Sequence, residues 1–264
     1  MRPAFVTGGS SGIGFAVARQ LAEKGHDIAL FARDQMRLNA AKASIVARFP
    51  HIRVETFAVD VSDQSAFVAV IERALAVLGT PEYAIASAGI AEPGLFTEQD
   101  IDLHERHMAI NYFGSLYFTR TLTQPMIEAG GGRIGLISSG AAFFGIYGYG
   151  AYAPSKFALR ALAEVLHLEL EPHGIVTTLC YPPDTDTPQL ETEKRTKPEA
   201  TQQITAGGGL WKADDVSATL LKGMEKGRFI VTPGVQMGAL NRLTSLIAPA
   251  LRWHQRRIIR KVGK

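Results

Sequence analysis

Cysteine is almost missing: Cys180 is the one example in 264 residues. No intrachain disulfide can form, and no cysteine-based metal cluster, which suits a reducing compartment. Long apolar runs are missing too, since none approaches the roughly 18 residues that a spanning helix needs. Met1-Arg2-Pro3 leads straight into Ala4-Phe5-Val6, with no secretory signal, so a cytoplasmic protein is expected. Excess charge is small, at +3, which gives no argument for nucleic acid. Of the histidines, only His104 and His107 are close together, and no cysteine or spaced carboxylate set accompanies them. That pair reads as an exposed helix face, and no metal site is expected.

What is present is enough for a substantial core. Apolar residues make up 46% of the chain and charged ones 20%, which excludes a disordered polymer. Short apolar runs occur at Ala4–Thr7, Asp27–Phe31, Arg53–Val59, Tyr83–Ala86, Arg133–Ile137, Ile175–Cys180 and Arg228–Val231. Stretches of helical period separate them: Ile13–Lys24, Gln35–Phe49, Gln64–Leu78, Leu116–Ala129, Ser155–Leu170 and Val216–Lys226. Gly25, Gly79, Gly130 and Gly227 follow helical runs, where a left-handed cap is expected. Strands alternating with helices predict an α/β fold, a Rossmann-type doubly wound parallel sheet of about seven strands with helices on both faces. The catalytic domain is read as 1–232. Within it, 184–212 has low regularity and reads as a mobile substrate lid. Residues 233–264 form a basic amphipathic tail.

Thr7-Gly8-Gly9-Ser10-Ser11-Gly12-Ile13-Gly14 joins the first strand to the first helix. Gly8 permits a tight turn, Gly12 lets backbone approach a pyrophosphate, and Gly14 lets the helix pack close to the strand. The helix N-terminus then offers free N–H groups to phosphate. The second strand ends in Ala32-Arg33-Asp34. A carboxylate at the strand end binds the ribose of NAD, whereas a guanidinium suits the 2′-phosphate of NADP. Arg33, with Ser10 and Ser11, therefore favours NADPH/NADP+, and Asp34 argues the other way if the strand runs one residue further. Asp60 and Val61 follow the third strand. Asp60 has two readings, a contact to the adenine edge or a turn and cap residue.

Tyr152 and Lys156 stand four residues apart, which places both on one face if the segment is helical. A nearby cation favours the phenolate and draws the tyrosine pKa toward working pH. Ser139 lies thirteen residues upstream at a strand end, on the side where such sheets bind ligands. Its hydroxyl can hold a substrate oxygen. Asn111, inside an apolar helix, reads either as a kink or as part of a water relay. Tyr147 and Tyr149 have no lysine four residues on and read as decoys.

Together these segments resemble the classical short-chain dehydrogenase/reductase family over residues 3–232. Thr7–Gly14 matches the family's TGxxxGxG. Ala86-Ser87-Ala88-Gly89 matches its NNAG stretch, with Ala86 and Ser87 replacing the asparagines. Asn111, Ser139, Tyr152 and Lys156 match its catalytic tetrad in order and spacing. The resemblance implies Tyr152 as proton donor and Ser139 as orienter of the carbonyl. It implies Lys156 on the nicotinamide ribose, lowering the tyrosine pKa, and Asn111 holding a relay water. Gly8, Ser10, Ser11, Gly12, Ile13, Gly14, Arg33, Asp60, Val61, Ala88 and Gly89 would bind the cofactor, as would Tyr152, Lys156 and Pro182. Pro182-Pro183 replaces the family's usual Pro-Gly, and Thr187 falls where a threonine contacts the carboxamide.

The run PPDTDTP and the later RFIVTPG resemble the branch that reduces sphingoid ketones. That implies NADPH-dependent reduction of the 3-keto group of a long-chain aminoketone. The other readings are a reductase of a steroid, fatty-acyl or other bulky carbonyl, and a non-catalytic dinucleotide binder. Leu190, Ile204, Leu210 and Trp211 are candidates for an apolar wall. Asp184 and Asp186 are candidates for pairing with the substrate amine. Against that, Asp186 with Gln189 resembles a capping box, with Pro188 in the first turn. From Leu240 onward there are seven basic residues and no carboxylate side chain. Residues 240–262 suit a membrane interface, with Trp253 at headgroup depth. They suit equally a helix packed on the body or on a partner subunit in a homo-oligomer. Pro249 is expected to break or kink the tail.

Overall fold

The computed structural model describes residues 1–262. Its sheet is built from β1 (Ala4–Thr7), β2 (Ile28–Ala32), β3 (Val54–Ala58), β4 (Tyr83–Ala86), β5 (Gly132–Ile137), β6 (Ile175–Cys180) and a short β9 (Ile230–Val231). The spatial order is β3-β2-β1-β4-β5-β6-β9, and each neighbouring pair is parallel. The expected seven-stranded Rossmann-type sheet is therefore observed. The order reverses between β1 and β4, where open sheets of this kind leave a crevice at their carboxyl ends.

Alternation along each strand divides the core. In β1, Phe5 points into one layer while Ala4 and Val6 point into the other. In β2, Ala29 and Phe31 face the first layer and Ile28 and Leu30 the second. Helices α1 (Gly12–Glu23), α2 (Gln35–Arg48) and α9 (Ala213–Glu225) cover the second face. Helices α3 (Gln64–Leu78), α5 (Gly114–Glu128) and α6 (Tyr152–Leu170) cover the first. The short α4 (Ile101–His107) runs into α5 through a π-helical segment, Met108–Phe113.

Boundaries shift by one to three residues, for local reasons. β2 ends at Ala32, and Asp34 caps α2 by accepting from the Met36 and Arg37 amides at 2.9 and 3.1 Å. Helix α6 starts at Tyr152, three residues before the Ser155 start read from periodicity, despite Pro154. Pro154 falls in the first turn, where no N–H has an intrahelical partner to lose. Gly25, Gly79, Gly130 and Gly227 do take positive φ beyond their helices.

Two expectations of irregular structure are corrected. The stretch 184–212 is built of regular elements. It holds β7 (Thr185–Asp186), α7 (Pro188–Thr196), α8 (Glu199–Thr205) and β8 (Trp211–Lys212), with β7 and β8 paired in parallel. Proline opens α7 at its first helical position and caps α8 as Pro198, which keeps both helices short and sharply bounded. The tail is also regular: α10 runs from Val235 to Val262 and passes through Pro249. Pro249 is exposed, so the carbonyl it leaves without an amide partner is within reach of water. Buried Met237 and Gln255 lie about five full turns apart on one face of α10, which docks on the body. Gln255 accepts from the Tyr147 amide and donates to the Gly145 carbonyl, each at 3.0 Å.

Phe31 is the hub of the first layer. Its ring stacks on Phe57 at 5.2 Å and meets Phe5, Phe67 and Phe118 at 5.7 to 6.2 Å. It is fully buried, so truncation removes apolar burial and leaves a cavity that four rings cannot close. Phe31→Ala is expected to cost about 3–5 kcal/mol. Urea unfolding monitored by far-UV circular dichroism measures it, and a loss below about 1 kcal/mol contradicts the packing described.

Candidate active site

The glycine loop is packed as its sequence requires. Gly8 and Gly12 have φ of +63° and +56°, which side chains rarely adopt. A Cβ on Gly14 would lie 2.5 Å from the Gly8 carbonyl oxygen, so α1 approaches the loop only because that atom is absent. Ser11 precedes α1 without a side-chain cap bond, and Ser10, Ser11, Gly12 and Ile13 line the cleft. The first turn of α1 thus presents backbone donors to any phosphate there.

Arg33 lines the cleft directly after β2. Asp34, also at the wall, is engaged with α2, which removes the objection it raised to NADP. Arg37 lines the cleft as well. Sequence reasoning missed it, although four residues past Arg33 on a helix opening at Gln35 is a legible signal. Asp60 satisfies its turn reading: its Oδ1 accepts from the Ser62 amide at 2.9 Å and hydroxyl at 2.6 Å. It also borders the cleft beside Val61. Ala88 and Gly89 form the opposite wall. The Thr7 hydroxyl accepts from the Ser87 and Ala88 amides, both at 3.0 Å. This holds the loop without the asparagines that the family pattern carries.

At the far end of the cleft, Asn111 sits fully buried in the π-helical segment. Its Oδ1 accepts from the Ile90 amide at 2.8 Å. Its Nδ2 donates to the Ile90 carbonyl at 3.0 Å and to Ser155 Oγ at 2.9 Å. Ser139, past the end of β5, accepts from the Ala141 amide at 3.2 Å and faces the Tyr152 phenol. Lys156 Nζ donates to the Ile137 carbonyl at 3.0 Å and lies 5.7 Å from the centre of the Tyr152 ring. Asn111, Ser139, Tyr152 and Lys156 therefore converge, with the last three at the cleft wall.

The expected lowering of the tyrosine pKa is not what this environment produces. Burial pushes the Tyr152 phenol up, the Glu193 carboxylate adds to that, and the Ser139 hydroxyl pulls it partly back. Lys156 is itself pushed down to about 8, by burial first, with Glu193 acting the other way. Desolvation dominates at the phenol, and the lysine donates to the Ile137 carbonyl.

Several further readings are corrected. His107 is fully buried, not exposed. Its ring bridges the Leu103 carbonyl at 2.7 Å and the Glu92 amide at 3.2 Å. Tyr149 is no bystander: its ring meets Tyr152 at 5.3 Å, and its hydroxyl donates to Glu193 Oε2 at 3.3 Å. The cap of α7 is Thr187, not Asp186. Thr187 Oγ1 accepts from the Leu190 amide at 3.3 Å and donates to the Thr185 carbonyl at 3.2 Å. The chain reaches its extended cap conformation one residue later than the box pattern implies, and Asp186 is left exposed. Thr187 also packs against the loop, since a Cβ on Gly12 would meet its methyl at 3.1 Å. Asp184 pairs with buried Lys197 at 3.6 Å. Leu190 and Ile204 do line the 1060 Å³ cleft, joined by Phe144, Ile146, Met237 and Leu240. Leu210 points to solvent, and Trp211 packs behind, against the second core layer and Gly234.

A glycine-loop nucleotide site that opens onto a half-buried serine and a buried tyrosine and lysine defines a nicotinamide-dependent carbonyl oxidoreductase. Residues 2–198 match the family model described as short chain dehydrogenase, and the chain belongs to that family. It is 39% identical to the 3-dehydrosphinganine reductase of Danio rerio, over 92% of this chain and 74% of the relative. It is 38% identical to the 3-ketodihydrosphingosine reductase of Bos taurus, with the same coverage. Among solved structures it resembles a short-chain dehydrogenase from Sphingobium yanoikuyae in complex with NADPH. That match has a TM-score of 0.80 at 25% identity, covering 96% of this chain and 95% of the other. The protein is an NADP(H)-dependent ketoreductase.

The paired guanidiniums give a cofactor test. Removing charge-assisted hydrogen bonds to the 2′-phosphate costs about 1.5–3 kcal/mol. Arg33→Ala with Arg37→Ala should therefore lower the kcat/KM ratio of NADPH over NADH by about ten- to a hundredfold. Steady-state rates with each cofactor measure the ratio, and an unchanged ratio refutes the assignment of these two arginines.

Proposed function

We propose that this protein reduces the 3-keto group of 3-ketosphinganine to the hydroxyl of sphinganine, with NADPH as reductant, in sphingolipid synthesis. One observation carries the choice of substrate: relatives 38–39% identical over 92% of the chain bear the names of that reaction. The cleft is consistent with it. Its glycine-loop end suits a dinucleotide, and its other end joins the tyrosine to an apolar wall that suits an alkyl chain.

The residues fit the cofactor by shape: the loop has room only where Gly8, Gly12 and Gly14 lack side chains. Arg33, Arg37 and Ser10 would hold the phosphorylated ribose, the α1 N-terminus the pyrophosphate, and Asp60, Val61 and Ala88 the adenine side. Pro182, Thr187, Gly89 and Lys156 would border the nicotinamide. When bound, NADPH supplies the hydride. Tyr152 protonates the carbonyl oxygen, and its raised proton affinity keeps the phenol in the donating form before the reaction. Ser139 orients that oxygen and stabilises its developing charge. Lys156, the cation beside the phenol, favours the phenolate left after transfer. Asn111 fixes the loop of Ile90 to α6 and so sets the distance between the two halves of the site.

The decisive experiment follows NADPH oxidation at 340 nm with 3-ketosphinganine. Wild type should turn over and Tyr152→Phe should lose at least about a hundredfold in kcat, with NADPH binding by fluorescence retained. An inert wild type would sink the substrate assignment. Equal rates in the variant would sink the role of Tyr152.

We also propose that α10 rests on an anionic membrane surface. No helix among the described residues is long and apolar enough to cross a bilayer. Leu246 and Trp253 are exposed at 79% and 62%, on the face of α10 opposite Met237 and Gln255. Arg242, Arg257 and Arg260 fall on that same outward side. Apolar anchors flanked by guanidiniums suit an interface that carries negative headgroups. Leu246→Ala with Trp253→Ala should cut co-sedimentation with phosphatidylserine-containing vesicles at least about fivefold. Equal partitioning of wild type and variant contradicts the proposal.

A further inference from the structure

The substrate proposed above carries an ammonium group on the carbon next to the reacting carbonyl. Once Tyr152 and Ser139 fix the carbonyl oxygen, that ammonium must fall among the residues that surround the phenol. Asp186 borders the cleft but is exposed, where water already solvates its charge. Two carboxylates act on Tyr152, and Glu193 has the larger effect, ahead of Asp184. Glu193 is 7% exposed and lines the cleft.

The surroundings of Glu193 separate it from an ordinary structural carboxylate. Its hydrogen-bond donors are neutral: Tyr149 Oη to Oε2 at 3.3 Å and Gln189 Nε2 to Oε1 at 3.2 Å. A carboxylate has room for about four such contacts. Lys197, the cation that draws on Glu193, is committed elsewhere. Its Nζ pairs with Asp184 at 3.6 Å and lies over the Tyr149 ring at 5.7 Å. Lys197, Asp184 and Glu193 thus hold one positive charge against two negative ones, and Lys156, the other cation that Glu193 acts on, already donates to the Ile137 carbonyl. Burial raises the proton affinity of Glu193, against its hydrogen bonds and the pull of Lys197. A buried carboxylate with incomplete compensation is stabilised by a cation brought to it.

We infer that Glu193, held by Tyr149 and Gln189 beside Tyr152, is the residue that recognises the substrate ammonium and sets the preference for 2-aminoketones. The inference rests on the proposed sphingoid substrate. Tyr149 then acts as a positioning residue: it donates to Glu193 on one side and packs edge-on against Tyr152 on the other. The arrangement places the cation-binding carboxylate of Glu193 on Tyr149, the neighbour of the proton-donating Tyr152, which suits a substrate whose ammonium and carbonyl stand on adjacent carbons. Asp184 contributes by holding Lys197 away from Glu193.

The test compares kcat/KM for 3-ketosphinganine with that for its des-amino analogue, 1-hydroxyoctadecan-3-one. Wild type should favour the aminoketone, and Glu193→Gln should shrink that ratio by about ten- to a hundredfold. A variant that loses activity on both ketones in the same proportion overturns the inference and leaves Glu193 as a latch for α7. A measurement on wild type alone guards against a variant that fails to fold. Sphinganine should inhibit at least about tenfold more tightly than N-acetylsphinganine, and equal inhibition also overturns it. Wild type inert toward 3-ketosphinganine would overturn the substrate and the inference together. An active wild type with an unchanged ratio in Glu193→Gln overturns Glu193 alone.

Discussion

The side-chain amide of Asn111 joins three segments that are far apart in sequence. It binds both backbone groups of Ile90, which follows the Ala88–Gly89 wall of the cofactor cleft. It also donates to Ser155, whose hydroxyl in turn donates to the Tyr152 carbonyl in the first turn of α6. The wall and the proton donor are therefore held in one frame. The π-helical segment is what makes this reach available, because an extra residue in the turn redirects a side chain that α-helical spacing would aim elsewhere. A buried amide in an apolar layer is costly unless every polar atom is matched, and here its donor and acceptor sides are both engaged. Kink and clamp are one feature.

Burial then dictates the electrostatics. Tyr152 and Lys156 are each less than a tenth exposed. Desolvation opposes charge on both, raising the phenol and lowering the ammonium toward about 8. Such a pair is held near its limit of solvation, so neighbouring charges carry weight in a medium of low dielectric. Glu193 acts on both, which ties α7 to the chemistry although α7 follows β6, a strand later in the chain than the helix that carries both residues. This segment of the cleft wall is thus electrostatically part of the site.

The sheet, the glycine loop and the serine–tyrosine–lysine set were legible because each rests on local rules. Alternation places Phe5 and Val6 on opposite faces, and spacing places Tyr152 and Lys156 on one turn. What escaped the sequence depends on contacts distant along the chain. Glu193 reads as one of many charges in a polar helix, and only the meeting of α7 with Tyr149 shows it to be buried. His107 looked exposed because its partner amide belongs to Glu92, fifteen residues earlier. Arg37 was within reach of local reasoning. Asp34 drew attention as a rival for the ribose, whereas its carboxylate is the cap that positions Arg37's helix. The box pattern at Asp186 misplaced the cap by one residue, because Thr187 serves the same role with the same chemistry.

The C-terminal helix completes the frame. Loop 145–149 must place Tyr149 against both Tyr152 and Glu193, yet it is short, glycine-bearing and without a strand of its own. It is held from two sides. Gln255 of α10 binds the Tyr147 amide and the Gly145 carbonyl, and Thr201 of α8 donates to the Tyr147 carbonyl at 2.8 Å. Met237 and Leu240, in the first turns of α10, line the apolar end of the cleft. The inner face of α10 therefore serves the site while its outer face carries Trp253 and Leu246. If the outer face meets a membrane as proposed, the two tasks of a lipid-handling enzyme would lie on opposite sides of one element. Gln255 thus couples α10 to the loop that carries Tyr149, and through Tyr149 to the proton donor.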